Sequence, residues 1–234
     1  MSSAAVDRAN TVITFPATGG DSGGAIYKGL AIAKTDAGSF LYATDFHNNK
    51  VDVFDTNFAK QALPAGAFVD PKLPAGYAPF GIQAIANGTG GAVQIYVTYA
   101  KQDADAEDDV SGAGLGLVDI FDAKGKFVKQ LVPPGGALNA PWGIALAPAD
   151  FGTLSHVLLV GNFGDGKING YDPATGVFMG SITDGTGAAF AVPGLWGIAF
   201  GNDVANQPHN TLFFAAGTND EANGAYGRID LVQH

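Results

Sequence analysis

Hydrophobic and polar positions alternate along this chain in short runs instead of recurring at helical spacing. Residues 51–55 (VDVFD) alternate with a period of two, which is typical of a strand that buries one face. Similar runs recur at 118–122, 168–172 and 229–232. The 34 glycines among 234 residues argue against long helices and for many strands joined by tight turns. The pattern therefore predicts an all-β chain.

These runs belong to four internal repeats. Each repeat opens with an aromatic or basic residue that is followed by glycine and an aliphatic residue. The four glycines are Gly29, Gly81, Gly143 and Gly197. Second β-rich runs follow at 40–44, 93–98, 157–161 and 212–216, and the alternating runs come third. Weaker fourth runs lie near 60–63, 127–132 and 177–182. Four antiparallel strands in each repeat of roughly 40–60 residues are typical of a β-propeller blade.

We therefore predict a single β-propeller domain with four blades, at about 27–70, 79–132, 141–183 and 195–234. The last repeat contains three strands, and a lone strand at 11–16 precedes the first. We expect this strand to complete the last blade, because closure removes exposed sheet edges. The alternative is a homodimer in which two chains combine into a larger ring.

Two repeated residue types have structural interpretations. The glycine that opens each repeat is expected either to let backbones approach closely near the axis of the propeller or to adopt a positive φ. The aspartates that end the third runs, Asp55, Asp122 and Asp172, are expected to bond their own backbone and start turns.

Composition excludes several functions. A net charge of −10 with only 12 lysines and arginines argues against nucleic-acid and anionic-membrane surfaces, and favours a cation or an uncharged ligand. The absence of cysteine excludes disulfides, thiol nucleophiles and thiolate metal sites. No apolar run approaches the roughly 20 residues of a membrane span. The first ten residues lack the apolar segment of a signal peptide, so none is expected in this chain.

The segments YKGLAIA, APFGIQAI, APWGIALAP and GLWGIAFG resemble NHL-type β-propeller repeats. With LYATDFHNNKVDVFD, LVGNFGDGKINGYD and FFAAGTNDEANGAYG, the chain is similar to a family of bacterial propeller proteins that are often exported and sometimes carry a PEP-CTERM sorting tail. The resemblance implies an exported, periplasmic or extracellular protein. Typical members look longer by about two blades on the N-terminal side, which implies a six-blade ring for the family.

Polar loops are expected to share one mouth of the propeller, at 45–49, 101–109, 162–165 and 218–221. The residues before the repeat glycines should lie near the same mouth; they are Lys28, Phe80, Trp142 and Trp196. The first functional hypothesis is a binding module whose rings contact a small apolar, sugar or peptide group. The alternative is that the same rings only fill the junctions between blades.

The second hypothesis is a calcium-dependent hydrolase of lactones, esters or phosphotriesters. Some six-blade propellers hold calcium at the axis, and oxygen atoms of Asp, Asn and Glu are suitable ligands. The candidate ligands are Asp45, Asp103, Asn162, Asn219 and Glu221, and the candidate catalytic residues are His47, as base, and Asp45. The alternative for the acidic run DADAEDD is a solvated hairpin.

Three further motifs carry little chemistry. Residues 20–24 (GDSGG) match a serine-hydrolase pattern, but no helix follows and the first histidine, His47, comes later, so we interpret them as a loop. The sequon at 87–89 is interpreted as an Asn-Gly turn. No two of the remaining histidines, His156, His209 and His234, have the spacing of a zinc helix.

Overall fold

The computed structural model describes residues 24–86 and 91–231, and within them the chain forms fourteen strands and one short 3-10 turn. The predicted strand at 11–16, Ser22 of the GDSGG motif, the sequon at 87–89 and His234 lie outside the described residues. The predicted all-β class is confirmed.

Four antiparallel sheets follow one another along the chain, one for each repeat, and strand order in each sheet follows chain order. The first blade contains β1 (Tyr27–Thr35), β2 (Gly38–Asp45) and β3 (Lys50–Phe54). The second contains β4 (Tyr77–Ala86), β5 (Val93–Lys101), β6 (Gly116–Asp122) and β7 (Phe127–Val132). The third contains β8 (Pro141–Leu146), β9 (Leu158–Asn162), β10 (Ile168–Tyr171) and β11 (Phe178–Ser181), with the 3-10 turn Gly152–Leu154 before β9. The fourth contains β12 (Leu195–Phe200), β13 (Leu212–Thr218) and β14 (Asn223–Ile229).

The innermost strand of each blade packs on the innermost strand of the next. Thus β1 packs on β4, β4 on β8, and β8 on β12, while no comparable contact joins β12 back to β1 in the described part of the chain. This radial arrangement of sheets is a β-propeller, as predicted from the repeats. The four blades form an open arc.

The core contains three apolar layers, one between each pair of neighbouring blades, and a fourth cluster around Phe46 and Phe80. Strand alternation explains the three layers, because each blade turns one set of side chains toward the preceding blade and the other set toward the following one. Val51 and Ile82 share the first layer, Val118 and Ile144 the second, and Ile168 and Ile198 the third. Each blade interface is therefore built from the same strand positions.

The repeat glycines allow close backbone contact at these interfaces. A β-carbon on Gly29 would lie 2.6 Å from the carbonyl oxygen of Phe80, and one on Gly143 would lie 2.7 Å from that of Trp196. A β-carbon on Gly81 would meet the Trp142 carbonyl. The prediction that glycine permits crowding is confirmed at these three positions, whereas Gly197 faces open space.

The aspartates after the third strands start turns, as predicted. Asp55 Oδ1 accepts hydrogen bonds from the N–H groups of Asn57 and Ala59, at 2.8 and 3.0 Å. Asp122 Oδ1 accepts two in the same way, from Lys124 and Lys126. Asp172 Oδ1 bonds the N–H groups of Ala174 and Thr175. A short carboxylate thus fixes each outer hairpin.

Candidate functional site

An aromatic cluster lies at the inner ends of the first three blades and consists of Phe46, Phe80, Trp142 and Phe163. Phe80 and Trp142 precede the repeat glycines of β4 and β8, and their ring centroids are 4.6 Å apart. Phe46 and Phe163 follow β2 and β9 at equivalent positions, with centroids 5.2 Å from Phe80 and 6.1 Å from Trp142, respectively. The repeat therefore brings rings from strands and loops of different blades together.

Burial divides this cluster into two layers. The rings of Phe46 and Phe80 are completely buried, whereas Trp142 and Phe163 are only half-buried. Phe80 therefore fills a blade junction and supports its neighbours. Trp142 and Phe163 retain surface that another molecule can contact.

The other two residues that precede repeat glycines have polar partners. Lys28 places its ammonium 5.8 Å from the centroid of Phe46 and forms a 2.9 Å ion pair with Asp108. Trp196 is half-buried, and its Nε1 donates a 2.8 Å hydrogen bond to Glu221 Oε1. These contacts hold both side chains in defined orientations next to the loops predicted to form the mouth.

Asp45 and His47 lie in the same turn, between β2 and β3, and each has a structural partner. Asp45 is fully buried, and Oδ1 accepts hydrogen bonds from the N–H groups of Ile26 and Asn48 at 3.3 and 3.2 Å. Its Oδ2 accepts from Asn48 Nδ2 at 2.9 Å and pairs with Lys50 Nζ at 3.2 Å. His47 Nδ1 lies 3.2 Å from the carbonyl oxygen of Ala106. Both carboxylate oxygens of Asp45 therefore already have partners within the protein.

The remaining predicted calcium ligands lie in separate loops. Asp103 accepts a 2.9 Å hydrogen bond from the N–H of Glu107, which lowers the pKa of Asp103 and stabilises the acidic hairpin. Asn162 donates Nδ2 to Asp165 Oδ1 at 3.0 Å, while its own Oδ1 is buried without a partner. Asn219 adopts a left-handed φ of 57° in the last turn, close in sequence to Glu221.

The five candidate ligands therefore come from four separate loops. Across residues 24–86 and 91–231, no group of three or more His, Cys, Asp or Glu side chains is placed to hold a metal ion. We derive no chemical step through a metal, and the calcium site stays a prediction.

A buried acidic pair was missed by sequence reasoning. Asp119 lies on β6 between Leu117 and Phe121, two residues of the layer shared with the first blade. Neither carboxylate oxygen has a hydrogen-bond partner, and burial, reinforced by the nearby Asp70 carboxyl, raises the pKa of Asp119 to about 8. Burial also raises the pKa of Tyr99, whose hydroxyl is unpartnered. The sequence signal that could have indicated this buried carboxyl is the position of Asp119 among the apolar residues of β6.

Asp52 occupies the equivalent strand position in the first blade and behaves differently. Burial opposes its ionisation, but Lys60 Nζ at 2.7 Å and the Tyr27 hydroxyl at 2.8 Å donate hydrogen bonds to it, and the pKa of Asp52 is lowered. Two aspartates at one repeat position therefore have pKa values shifted in opposite directions, upward for Asp119 and downward for Asp52. Their partners determine the difference.

No protein-family model matches the chain. An uncharacterized protein of Acanthamoeba polyphaga mimivirus is 34% identical over 213 residues, covering 87% of this chain and 48% of the relative. A second uncharacterized mimivirus protein is 32% identical, covering 87% of this chain and 51% of that relative. The chain thus spans about half the length of these curated relatives.

Solved structures show the same fold. A luciferin-regenerating enzyme matches with a TM-score of 0.55 at 12% identity, covering 88% of this chain and 59% of that one. The Dos1 propeller matches with a TM-score of 0.50 at 13% identity, covering 88% of this chain and 48% of that one. The β-propeller fold is thereby shown, while the resemblance to NHL repeats and to the exported bacterial family stays a prediction. No helix among the described residues is long and apolar enough to cross a membrane.

Proposed function

We propose that this protein is a ligand-binding β-propeller whose site is formed by Trp142, Phe163 and Trp196. The observation that carries this proposal is the half-buried state of Trp142 and Phe163, whose rings pack against the fully buried Phe80, together with the half-buried Trp196 on the next blade. Aromatic rings with one apolar face available and a polar group nearby are common in ligand sites.

The surroundings restrict the class of ligand. Lys28 is already paired with Asp108, whereas Glu221 accepts a hydrogen bond from the neutral Trp196 N–H and keeps its negative charge. The net charge of −10 disfavours anions. A neutral or cationic group with a flat apolar face, such as a sugar ring or an aromatic ring, meets these requirements. Rings already fixed by packing lose little entropy when a ligand binds.

The chain contains only two tryptophans, which makes a direct test available. Protein labelled with 5-fluorotryptophan should give two fluorine resonances, which Trp142→Phe and Trp196→Phe assign. The probes are methyl glucoside, cellobiose, indole and tetramethylammonium. We expect at least one of them to shift the Trp142 or Trp196 resonance saturably, with at least about tenfold weaker affinity in Trp142→Leu.

Phe178→Leu supplies the control, because Phe178 is exposed on the outer strand β11. This variant should bind the same probe as the unmodified protein. The proposal fails if none of the four probes shifts either resonance, or if Trp142→Leu and Phe178→Leu bind equally well.

A calcium-dependent hydrolase is the alternative proposal. One observation favours it, since the buried Asn162 Oδ1 lacks a donor and could accept a cation as partner. Hydrolysis of the aromatic lactone dihydrocoumarin can be followed with calcium and with a chelator. Activity that requires calcium and is lost in His47→Ala would support this alternative, and calorimetry without binding heat would exclude it.

A further inference from the structure

The two ends of the arc expose positions that are buried everywhere else in the repeat. The residue that follows the repeat glycine occupies an equivalent position in all four blades, as its pairing with the second strand shows. The four pairs are Leu30–Ala43, Ile82–Val97, Ile144–Val160 and Ile198–Phe214. Ile82, Ile144 and Ile198 are 6%, 3% and 6% exposed because each packs on the preceding blade. No blade precedes Leu30 within residues 24–86 and 91–231, and Leu30 is 62% exposed.

The last blade shows the complementary exposure. Tyr226 occupies the same position on its third strand as Val51, Val118 and Ile168 do on theirs. The pairs with the second strand are Tyr226–Ala215, Val51–Thr44, Val118–Thr98 and Ile168–Gly161. Val51, Val118 and Ile168 are 3%, 0% and 0% exposed because each packs on the following blade. Tyr226 is 69% exposed. An apolar position that the repeat normally buries is therefore uncovered at this end as well.

The position of Tyr226 and the position of Leu30 lie in the same apolar layer at each of the three blade interfaces within the chain. Val51 and Ile82 meet in the first apolar layer, Val118 and Ile144 in the second, and Ile168 and Ile198 in the third. Tyr226 and Leu30 are the two halves of a fourth such pair, which a single copy does not assemble in the described residues.

Gly197 independently indicates a missing neighbour. In the first three blades the repeat glycine makes room for the carbonyl of the next innermost strand. A β-carbon on Gly197 would meet no atom within 4 Å. The sequence thus retains the small residue at a position where the described part of the chain supplies no neighbouring backbone.

We propose that the exposed face of the last blade, at Tyr226 and Gly197, docks on the exposed face of the first blade, at Leu30, of a second copy of this chain. The contact would continue the blade-to-blade packing that already occurs three times within the chain. A groove of about 280 Å³ on the last blade, lined by Gly197, Ala199, Phe213 and Tyr226 among others, would receive the projecting Leu30 and Ile32.

A second copy is the appropriate occupant because one chain carries both halves of the interface. Two copies related by a twofold axis form two identical head-to-tail contacts and leave neither face exposed. The mimivirus relatives contain about as much chain again as the matched region, which is consistent with a ring larger than four blades.

The test is the mass of the protein in solution, measured by sedimentation and light scattering over a range of concentrations. The unmodified chain should be a dimer. Leu30→Lys and Tyr226→Asp should each place a charge in both apolar contacts and raise the dissociation constant at least about 30-fold. Val177→Lys changes another exposed apolar residue, away from both faces, and should leave the dimer intact.

Mixing the two variants separates head-to-tail packing from other modes. A mixed dimer of Leu30→Lys with Tyr226→Asp contains one unmodified contact and one contact with opposite charges, so mixing should restore the dimer. Gly197→Ala should keep the fold, as measured by circular dichroism, while weakening the dimer. The proposal is overturned if the unmodified chain is monomeric at all concentrations, if the variants remain dimeric, or if mixing restores nothing.

Discussion

The Thr44 hydroxyl donates a 2.7 Å hydrogen bond to the carbonyl oxygen of Phe80 and so joins the first blade to the second. The Thr44 Oγ1 also accepts a 2.7 Å hydrogen bond from the Gly29 N–H, and Thr44 is completely buried. Thr98 repeats part of this arrangement by accepting the Gly81 N–H at 2.8 Å. A threonine on the second strand thus satisfies backbone groups at the bulge of the innermost strand.

Replacing Thr44 by valine should destabilise the protein by about 1–3 kcal/mol. The change preserves shape but leaves the Gly29 N–H and the Phe80 carbonyl buried without this partner. Urea denaturation measures the free energy of unfolding. Thr35→Val, in an exposed turn, is the control and should change stability by less than about 0.5 kcal/mol. Equal stability of the two variants would contradict this account.

Replacing Gly81 by alanine should be more damaging. The added β-carbon would collide with the Trp142 carbonyl and lie 2.8 Å from Thr98 Oγ1, so the second and third blades would have to separate. We expect a loss of about 2–3 kcal/mol or failure to fold. Gly136→Ala is the matched control, since its β-carbon would meet no atom within 4 Å. Thermal unfolding of both variants decides the matter, and a normal melting temperature for Gly81→Ala would refute the crowding argument.

Asp119→Asn should stabilise the protein, by an amount that increases with pH. The pKa of Asp119 is about 8 when folded and near 3.8 when unfolded, so the folded state binds the extra proton between these values. Stability contributed through this group therefore falls as pH rises from about 4 to about 8 and is constant above. The melting temperatures of variant and unmodified protein should diverge across this window. A difference in melting temperature that does not change with pH would contradict this account.

His209 should titrate above its ordinary value. Hydrogen bonds with Asp203 at 2.9 Å and with Asp150 at 3.0 Å raise the pKa of His209 above 6.5. Its contribution to stability is fully present below the unfolded pKa and is lost as pH rises through the folded pKa. Nuclear magnetic resonance titration of the imidazole measures this directly. Asp203→Asn should lower the pKa of His209, and an unchanged titration in that variant would show that the contact is absent in solution.

The amino-acid sequence by itself determined the repeat and its local geometry. Alternation in residues 51–55 and its counterparts predicted strands, and Asp55, Asp122 and Asp172 predicted the turns that their carboxylates form. These features depend on residues a few positions apart, so local pattern is sufficient. The same regularity placed Trp142 and Trp196 at equivalent sites on neighbouring blades.

Only the tertiary structure decided which of these equivalent residues is accessible. Phe80 and Trp142 both precede a repeat glycine, yet the first is buried beneath rings from two other blades and the second is not. Leu30 and Ile82 likewise share a repeat position, and among the described residues a preceding blade covers only Ile82. Asp52 and Asp119 share a second repeat position, but their pKa values shift in opposite directions because only Asp52 forms ion pairs with lysines. Burial and ionisation depend on neighbours that the packing of distant strands supplies, and a repeat pattern describes each blade without its neighbours.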